Sequence, residues 1–505
     1  MVPCGAGENW WRTTIEELPE DVLLEIFDFY RLYAMEESRG LPWKWHRLVH
    51  VCRKWRRAIF RSPRRLGLRI LCKYGAPIGS ILTSWPILPL VAWFIADQKS
   101  KHIPRNVKVA LCHPERLCEI HLHVTSSMVA PIVEVTQKPC QALEVIWITV
   151  KDHTGPSVLV GNKVGNAFLG GTAPHLRVIR LDGIAFPFPS IRPVLLSTNN
   201  LVELHLSNIP NDAYFSPDDL MTGLSTSVQL KRLTVDFHSP ASFPPPSMTH
   251  PPTRRTTLPS LIFLDFHGAS GYLEELVARI ELSALCKFAI RLFNDLFFEI
   301  PQFCQLIALI PRLNGLRSSA WAIVRHGVDF VRVFFKATEF LGEKCILGTS
   351  CRQLDWQLSF VTQISSQLPS LLFSVHALNI QSGDELPTGV EDVEPAQWLE
   401  LFQLFTFVTQ VVVSEKLVPS IVQALVADNM TAEVLPGLTL LQLRGYRRTS
   451  SVAKAAEQFV AARGLTGRTI SLTSADMVCH CSSCRTIMLT RINAFRTIWS
   501  SDLIR

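Results

Sequence analysis

The densest run of metal-type ligands is Cys479-His480-Cys481-Ser482-Ser483-Cys484. Its Cys481 and Cys484 have the Cys-x-x-Cys spacing that offers two thiolates to zinc, with Cys479 or His480 as a third ligand. No second pair lies nearby to complete a tetrahedral site, so a reduced, non-ligating cluster is the expectation. A second group comprises Cys112, His113, Cys118, His121 and His123. On a strand, His121 and His123 share one face and line a surface rather than hold a metal. The motifs for phosphate, dinucleotide, acyl and zinc-hydrolase chemistry are all missing. Gly161 to Gly171 is glycine-rich, but its spacing does not match a phosphate cradle. No catalytic, metal or cofactor-binding residue is assigned, and the chain is not expected to be an enzyme.

Bulk composition is that of a globular chain, not a disordered one. The 505 residues are 48% hydrophobic and 18% charged, with a formal net charge of +7. That length exceeds one ordinary core, so several domains or one elongated repeat array is expected. The mild charge argues against a dedicated nucleic-acid binder. Thirteen scattered cysteines and the lack of a secretory leader point to the cytoplasm or nucleus, so the sequon Asn429-Met430-Thr431 reads as coincidence. Ala76 to Ala96 carries no charge, yet Pro77, Pro86 and Pro89 argue against a membrane span and for a buried helix and strand.

Charge is segregated at the start of the chain. Residues 1–37 hold two Lys/Arg and nine Asp/Glu, whereas residues 38–75 hold twelve Lys/Arg and no acid. Pro19 is placed to start a helix, with Glu20 and Asp21 in its first turn. Val22, Leu23, Ile26, Phe27 and Tyr30 follow at helical spacing. A second helix is expected from Trp45 to Phe60, with Leu48, Val51, Cys52, Trp55 and Ile59 on one side and Arg47, Arg53, Lys54, Arg56 and Arg57 on the other. Read from spacing alone, Val51 and Trp55 are core residues of a small helical bundle, and the basic side is a solvated face.

Leu18-Pro19, Asp21, Ile26-Phe27, Val51-Cys52-Arg53-Lys54-Trp55 and Phe60 together resemble the F-box, over roughly residues 15–65. The resemblance implies that Leu18, Pro19, Ile26, Phe27, Val51, Cys52 and Trp55 lie in or behind a surface that binds the Skp adaptor of cullin ubiquitin ligases. The link from Tyr33 to Trp45, with Gly40-Leu41-Pro42, is longer than is usual in that family.

Farther on, Leu-x-x-Leu-x-Leu patterns begin at Leu117, Leu143, Leu176, Leu201, Leu230, Leu261 and, degraded, at Leu285. They resume at Val375, Val408 and Leu438, and the gap of 90 residues before Val375 has room for three units, one of which would take Leu313 and Leu316. The spacing straddles the leucine-rich-repeat period. Alternation in Leu201-Val-Glu-Leu-His-Leu should turn Glu203 and His205 away from the core. Phe330 to Leu341 and Val452 to Ala462 have helical spacing. Ser239 to Pro259 holds seven prolines and should form an exposed loop without a strand. The layout is similar to fungal F-box proteins of mushroom type, including Trp398-Leu-Glu-Leu-Phe, Glu433-Val-Leu-Pro-Gly-Leu and Glu457-Gln-Phe-Val-Ala-Ala-Arg.

The expected fold class is α/β: a small all-α helical unit followed by an irregular leucine-rich-repeat solenoid. The expected segments are a tail (1–14), the F-box-like unit (15–75), a linker or cap (76–115), the repeats (116–475) and an atypical tail (476–505). The resemblance implies an adaptor joining the Skp–cullin core to a protein target, and the alternative is a non-ligase interaction scaffold. No membrane or nucleic-acid partner is expected.

Overall fold

The computed structural model describes residues 17–37, 44–62, 66–73, 78–84, 88–97, 100, 102–129, 131–132, 136–150, 168–184, 188–210, 213–239, 255–293, 299–310, 320–336, 345–383, 385, 387–389, 393–427, 434–444, 451–465 and 467–475. Outside them lie the tails 1–14 and 476–505 with the Cys479–Cys484 cluster, Gly40-Leu41-Pro42, the sequon, Leu313 and Leu316, and most of the glycine-rich and proline-rich stretches. The chain divides into two compact units. The first holds the described residues up to Ile70 and those between Leu82 and Pro89, and the second holds the rest.

In the first unit, α1 (Glu20–Glu37) begins directly after Pro19 and carries Glu20 and Asp21 at the positive end of its dipole. The expected second helix is divided. A 3-10 stretch, Lys44–His50, is followed by a break and then α2 (Arg53–Arg61). The break falls at Cys52, which takes extended backbone and caps α2 by accepting the Trp55 N–H on Sγ at 3.5 Å. Leu23, Leu24 and Phe27 of α1 and Trp55, Ala58 and Ile59 of α2 are buried, and the Phe27 and Trp55 rings meet at 4.8 Å.

The strands are β1 (Ile70–Cys72), β2 (Leu90–Ile95), β3 (Leu117–Val124), β4 (Val145–Val150), β5 (Val178–Asp182), β6 (Glu203–Ile209), β7 (Arg232–Phe237), β8 (Thr256–Thr257), β9 (Phe263–Gly268), β10 (Ile280–Glu281), β11 (Lys287–Leu292), β12 (Trp321–His326), β13 (Val331–Lys336), β14 (Cys345–Thr349), β15 (Ala377–Ser382), β16 (Gln410–Val413), β17 (Leu440–Arg444) and β18 (Ser471–Ala475). Sixteen of them form one sheet, in the order β1 to β7, β9, β11, β14, β13, β12, β15, β16, β17, β18. The protein is therefore mixed α/β with a large, mostly parallel sheet.

The leucine pattern explains this regularity. Strands start two residues after Leu143, Leu176, Leu201, Leu230, Leu261 and Leu285, and again after Val375, Val408 and Leu438. Ile120, Ile146, Ile179, Leu204, Leu233, Leu264 and Phe288 stand side by side in register, all fully buried. Burying each such side chain contributes about 1.5–3 kcal/mol, which locks neighbouring strands against slippage.

Three expectations are corrected. The gap before Val375 does hold three strands, but β14, β13 and β12 form an antiparallel meander instead of three like units. Phe330 to Leu341 is not helical where described, because Val331, Val333 and Phe335 alternate inward along β13. The proline-rich segment does contribute a short strand: Thr256 and Thr257 pair parallel with Ile280 and Glu281. Val452 to Ala462, by contrast, lies within the helix Ser451–Leu465. The segment 76–115 contains the helices Ile78–Ser84 and Arg105–Leu111 and strand β2, whose Leu90, Val91, Ala92 and Phe94 are buried, whereas Gly79, Ser80 and Thr83 of the first helix are exposed. Among the described residues no helix is long and apolar enough to cross a membrane.

Candidate functional site

The first unit separates the seven residues singled out above into two sets. Phe27 and Trp55 are core, whereas Ile26 is 41% exposed and Val51 57% exposed. Pro19 is exposed and Leu18 and Cys52 are half-buried. Leu18 is held through its carbonyl, which accepts from Lys54 Nζ at 2.9 Å, and the Pro19 carbonyl accepts the Leu23 N–H at 3.1 Å. These bonds tie the Leu-Pro entry to α2 and to the first turn of α1.

Among the α1 residues whose side chains are described, the exposed large apolar ones are Val22, Ile26, Phe29 and Tyr30, at helical positions i, i+4, i+7 and i+8. Phe29, 76% exposed, escaped the sequence reading although it stands three residues after Ile26. Scattered single exposed apolar residues are ordinary, whereas these four lie along one side of a single helix. The second face of this unit is cationic. Arg53, Arg56, Arg57 and Arg61 line an open groove with Phe60. Arg56 Nε donates to the Val49 carbonyl at 3.1 Å, and Arg61 reaches Glu20 at 3.7 Å, an exposed pair worth about 0–1 kcal/mol.

The Cys52 cap yields a direct test. A thiol is a weak acceptor and serine a strong N-cap, so Cys52→Ser should leave the melting temperature unchanged or raise it, and Cys52→Gly should lower it slightly. A Cys52→Ser chain that melts well below the parent would show that the cap is not what this residue provides.

In the second unit the outward side of the sheet carries an ionic network. Arg180 on β5 donates to Glu203 on β6 at 2.6 Å and lies over the Trp147 ring at 4.8 Å. Glu203 thus stands on the side opposite Leu204, as its alternation predicts, yet it is buried rather than solvated. Farther along, His267 Nδ1 lies 2.8 Å from Asp236, and Arg291 reaches Asp265 at 3.3 Å and Asp236 at 3.8 Å. Burial raises the Asp265 carboxyl despite the Arg291 charge, and burial together with Arg180 lowers His205. The Arg180–Glu203, Asp236–His267 and Asp265–Arg291 partners stand on neighbouring strands 23 to 31 residues apart in the chain, and Arg291 reaches Asp236 across one intervening strand. Their signal in the sequence is an outward position shared by successive repeats.

Strand geometry also divides the Cys112–His123 group. His121, 3.0 Å from Glu119, faces outward beside Trp147, as does His123, whereas Cys118 is buried on the other side and donates to the Leu90 carbonyl. Among the described residues no three His, Cys, Asp or Glu side chains converge as a metal site. No protein-family model matches the chain, and no curated protein matches it.

Proposed function

We propose that the protein is a substrate-recognition adaptor of an SCF-type cullin ubiquitin ligase, acting in the cytoplasm or nucleus. In this reading the first unit is an F-box-like domain that docks on the Skp adaptor. The sheet is an irregular leucine-rich-repeat solenoid whose outward side selects a protein target. The observation that carries the reading is the exposed apolar stripe of α1, which stands on a buried Phe27–Trp55 core in the segment that resembles the F-box. Docking would bury Ile26, Phe29 and Val51 at the centre of the contact, where a few residues dominate affinity. No covalent step takes place on this chain. Its contribution is positioning, since holding a target beside a separate transferase raises their effective concentration.

The test is co-purification of the tagged full chain with the Skp adaptor. Ile26→Asp/Val51→Asp places charge on exposed positions and should weaken retention by at least about tenfold while leaving the melting curve in place. Leu18→Ala/Pro19→Ala should act in the same direction. Failure of the parent chain to retain the adaptor, or retention unaffected by both variants, would remove the ligase reading and leave a scaffold.

A further inference from the structure

Helix α2 carries its charge against its own electrostatics. Arg53 stands in the first turn with no Asp or Glu beside it, where the helix dipole disfavours a cation. Arg57 and Arg61 follow at four-residue spacing, and like charges so placed destabilise a helix. All three are exposed, as is Arg56, and together with the half-buried Phe60 they line an open groove.

The chain offsets this repulsion at one end of the row only. Arg61 reaches the Glu20 carboxylate of α1 at 3.7 Å. Arg56 commits its Nε hydrogen to the Val49 carbonyl at 3.1 Å, a neutral contact that fixes the guanidinium without cancelling its charge. Lys54, in the same turn as Arg53, is tied to the Leu18 carbonyl at 2.9 Å. Arg53 and Arg57 have no hydrogen-bonding or ionic partner for their side chains among the described residues. A carboxylate thus meets the last arginine of the row and none of the described residues supplies one to the first two.

We infer that this groove binds an acidic protein segment in extended conformation, which continues the row of carboxylates that Glu20 begins. Successive arginines of the row are about 6 Å apart along the helix axis, at 1.5 Å per residue. Alternate side chains of an extended chain share one side and stand about 6.6 Å apart. A segment with glutamate at every second position therefore sets one carboxylate against Arg57 and the next against Arg53, each matching the planar fork of a guanidinium. Phe60 offers the glutamate methylenes an apolar surface to lie on. The row spans about 12 Å, room for three or four residues of such a segment. A nucleic-acid backbone or a membrane surface extends past that length and onto the acid-rich α1, whose Glu20 already stands at the edge of the groove. The inference does not rest on the adaptor reading, which is carried by the apolar stripe of α1.

The experiment measures binding of a fluorescent peptide of alternating Glu and Thr to the purified full chain, with a Gln-for-Glu peptide, a single-stranded oligonucleotide and vesicles of phosphatidylserine and phosphatidylcholine as comparators. The acidic peptide should bind more tightly than the neutral one, and less tightly as salt rises. Arg53→Gln/Arg57→Gln should weaken it by about tenfold or more. Glu20→Gln, which removes a competing carboxylate from Arg61, should tighten it. Arg177→Gln/Lys231→Gln, which removes the same charge from exposed positions elsewhere, should leave it unchanged. Equal loss in the two double variants, equal binding of both peptides, weaker binding to Glu20→Gln, no binding, or preference for the oligonucleotide or the vesicles would each overturn the inference. Arg53→Gln/Arg57→Gln should melt no lower than the parent, because it relieves the repulsion within α2. A lower melting temperature would make these arginines part of the unit's own cohesion and would equally overturn it. The measurement needs no ligase component, so its failure is distinguishable from loss of Skp retention.

Discussion

Glu203→Ala is expected to lower the unfolding free energy by about 3–5 kcal/mol, because it strands the Arg180 guanidinium inside the protein. The two side chains are only 10% and 6% exposed and meet at 2.6 Å. Arg180 Nη2 and Glu203 Oε2 are buried without a hydrogen-bond partner, so each charge depends on its ion partner for most of its compensation. Taking both charges out of water costs about as much as their attraction returns. The double change Arg180→Met/Glu203→Leu should therefore recover most or all of the stability lost in the single variant. Urea unfolding of the parent, Arg180→Met, Glu203→Leu and the double variant measures the cycle, with Glu203→Ala alongside. A Glu203→Ala chain within about 1 kcal/mol of the parent would mean that the pair is solvated and equivalent to an ordinary surface bridge. If the double variant is as stable as the parent, the ion pair contributes register or recognition to the outward face rather than cohesion.

Acid should destabilise the second unit through His326, again by about 3 kcal/mol. This histidine ends β12 fully buried, and its Nδ1 lies 2.9 Å from the Gln357 side-chain oxygen. Gln357 donates its amide to the carbonyls of Gly327 and Cys351, at 2.9 and 2.7 Å, so its oxygen accepts the imidazole proton. That fixes the proton of the neutral ring on Nδ1. Nε2 is buried without a partner, and a second proton there would bring an unmatched charge into the core. Burial accordingly lowers the pKa to about 4 from an ordinary 6.5. Between those values the unfolded chain holds a proton that the folded chain rejects, so stability falls as the pH falls. The contribution is intact above pH 6.5 and lost progressively toward pH 4. Urea unfolding at neutral pH and near the lower limit should show a larger acid loss for the parent than for His326→Gln, which cannot titrate. Equal losses in the two chains would assign the acid sensitivity to other groups.

The strands β3 to β7, β9, β11 and β15 to β17 were legible because one-sided burial writes a period-two pattern into the chain, and a Leu-x-x-Leu-x-Leu-like spacing locates them. The reversal at β12 to β14 was not legible, since pairing direction is a property of neighbours that lie far apart in the chain. Phe330 to Leu341 also satisfied a helical spacing by coincidence, although Val331, Val333 and Phe335 carried the competing alternation. In the first unit the apolar stripe was visible, but not which of its members face water. Ile26 and Phe27 are adjacent and equally apolar, and only the packing of α1 on α2 decides that Phe27 meets Trp55 and Ile26 does not. The Arg180–Glu203 pair was hidden in the same way, because an outward polar residue reads as solvated until the neighbouring strand is known.

The order of strands across the meander also bears on how the protein is made. A chain leaving the ribosome can lay each early strand against the one just completed, closing the growing edge at every step. At β11 this breaks down: the next strand synthesised, β12, has its place three positions away, beyond β14 and β13. The hydrogen-bonding edge of β11 stays open until β14 emerges at Cys345, and only then does β12 present the edge on which β15 docks. Synthesis of this protein thus passes through an interval in which a finished stretch of sheet offers a naked edge to any other nascent chain.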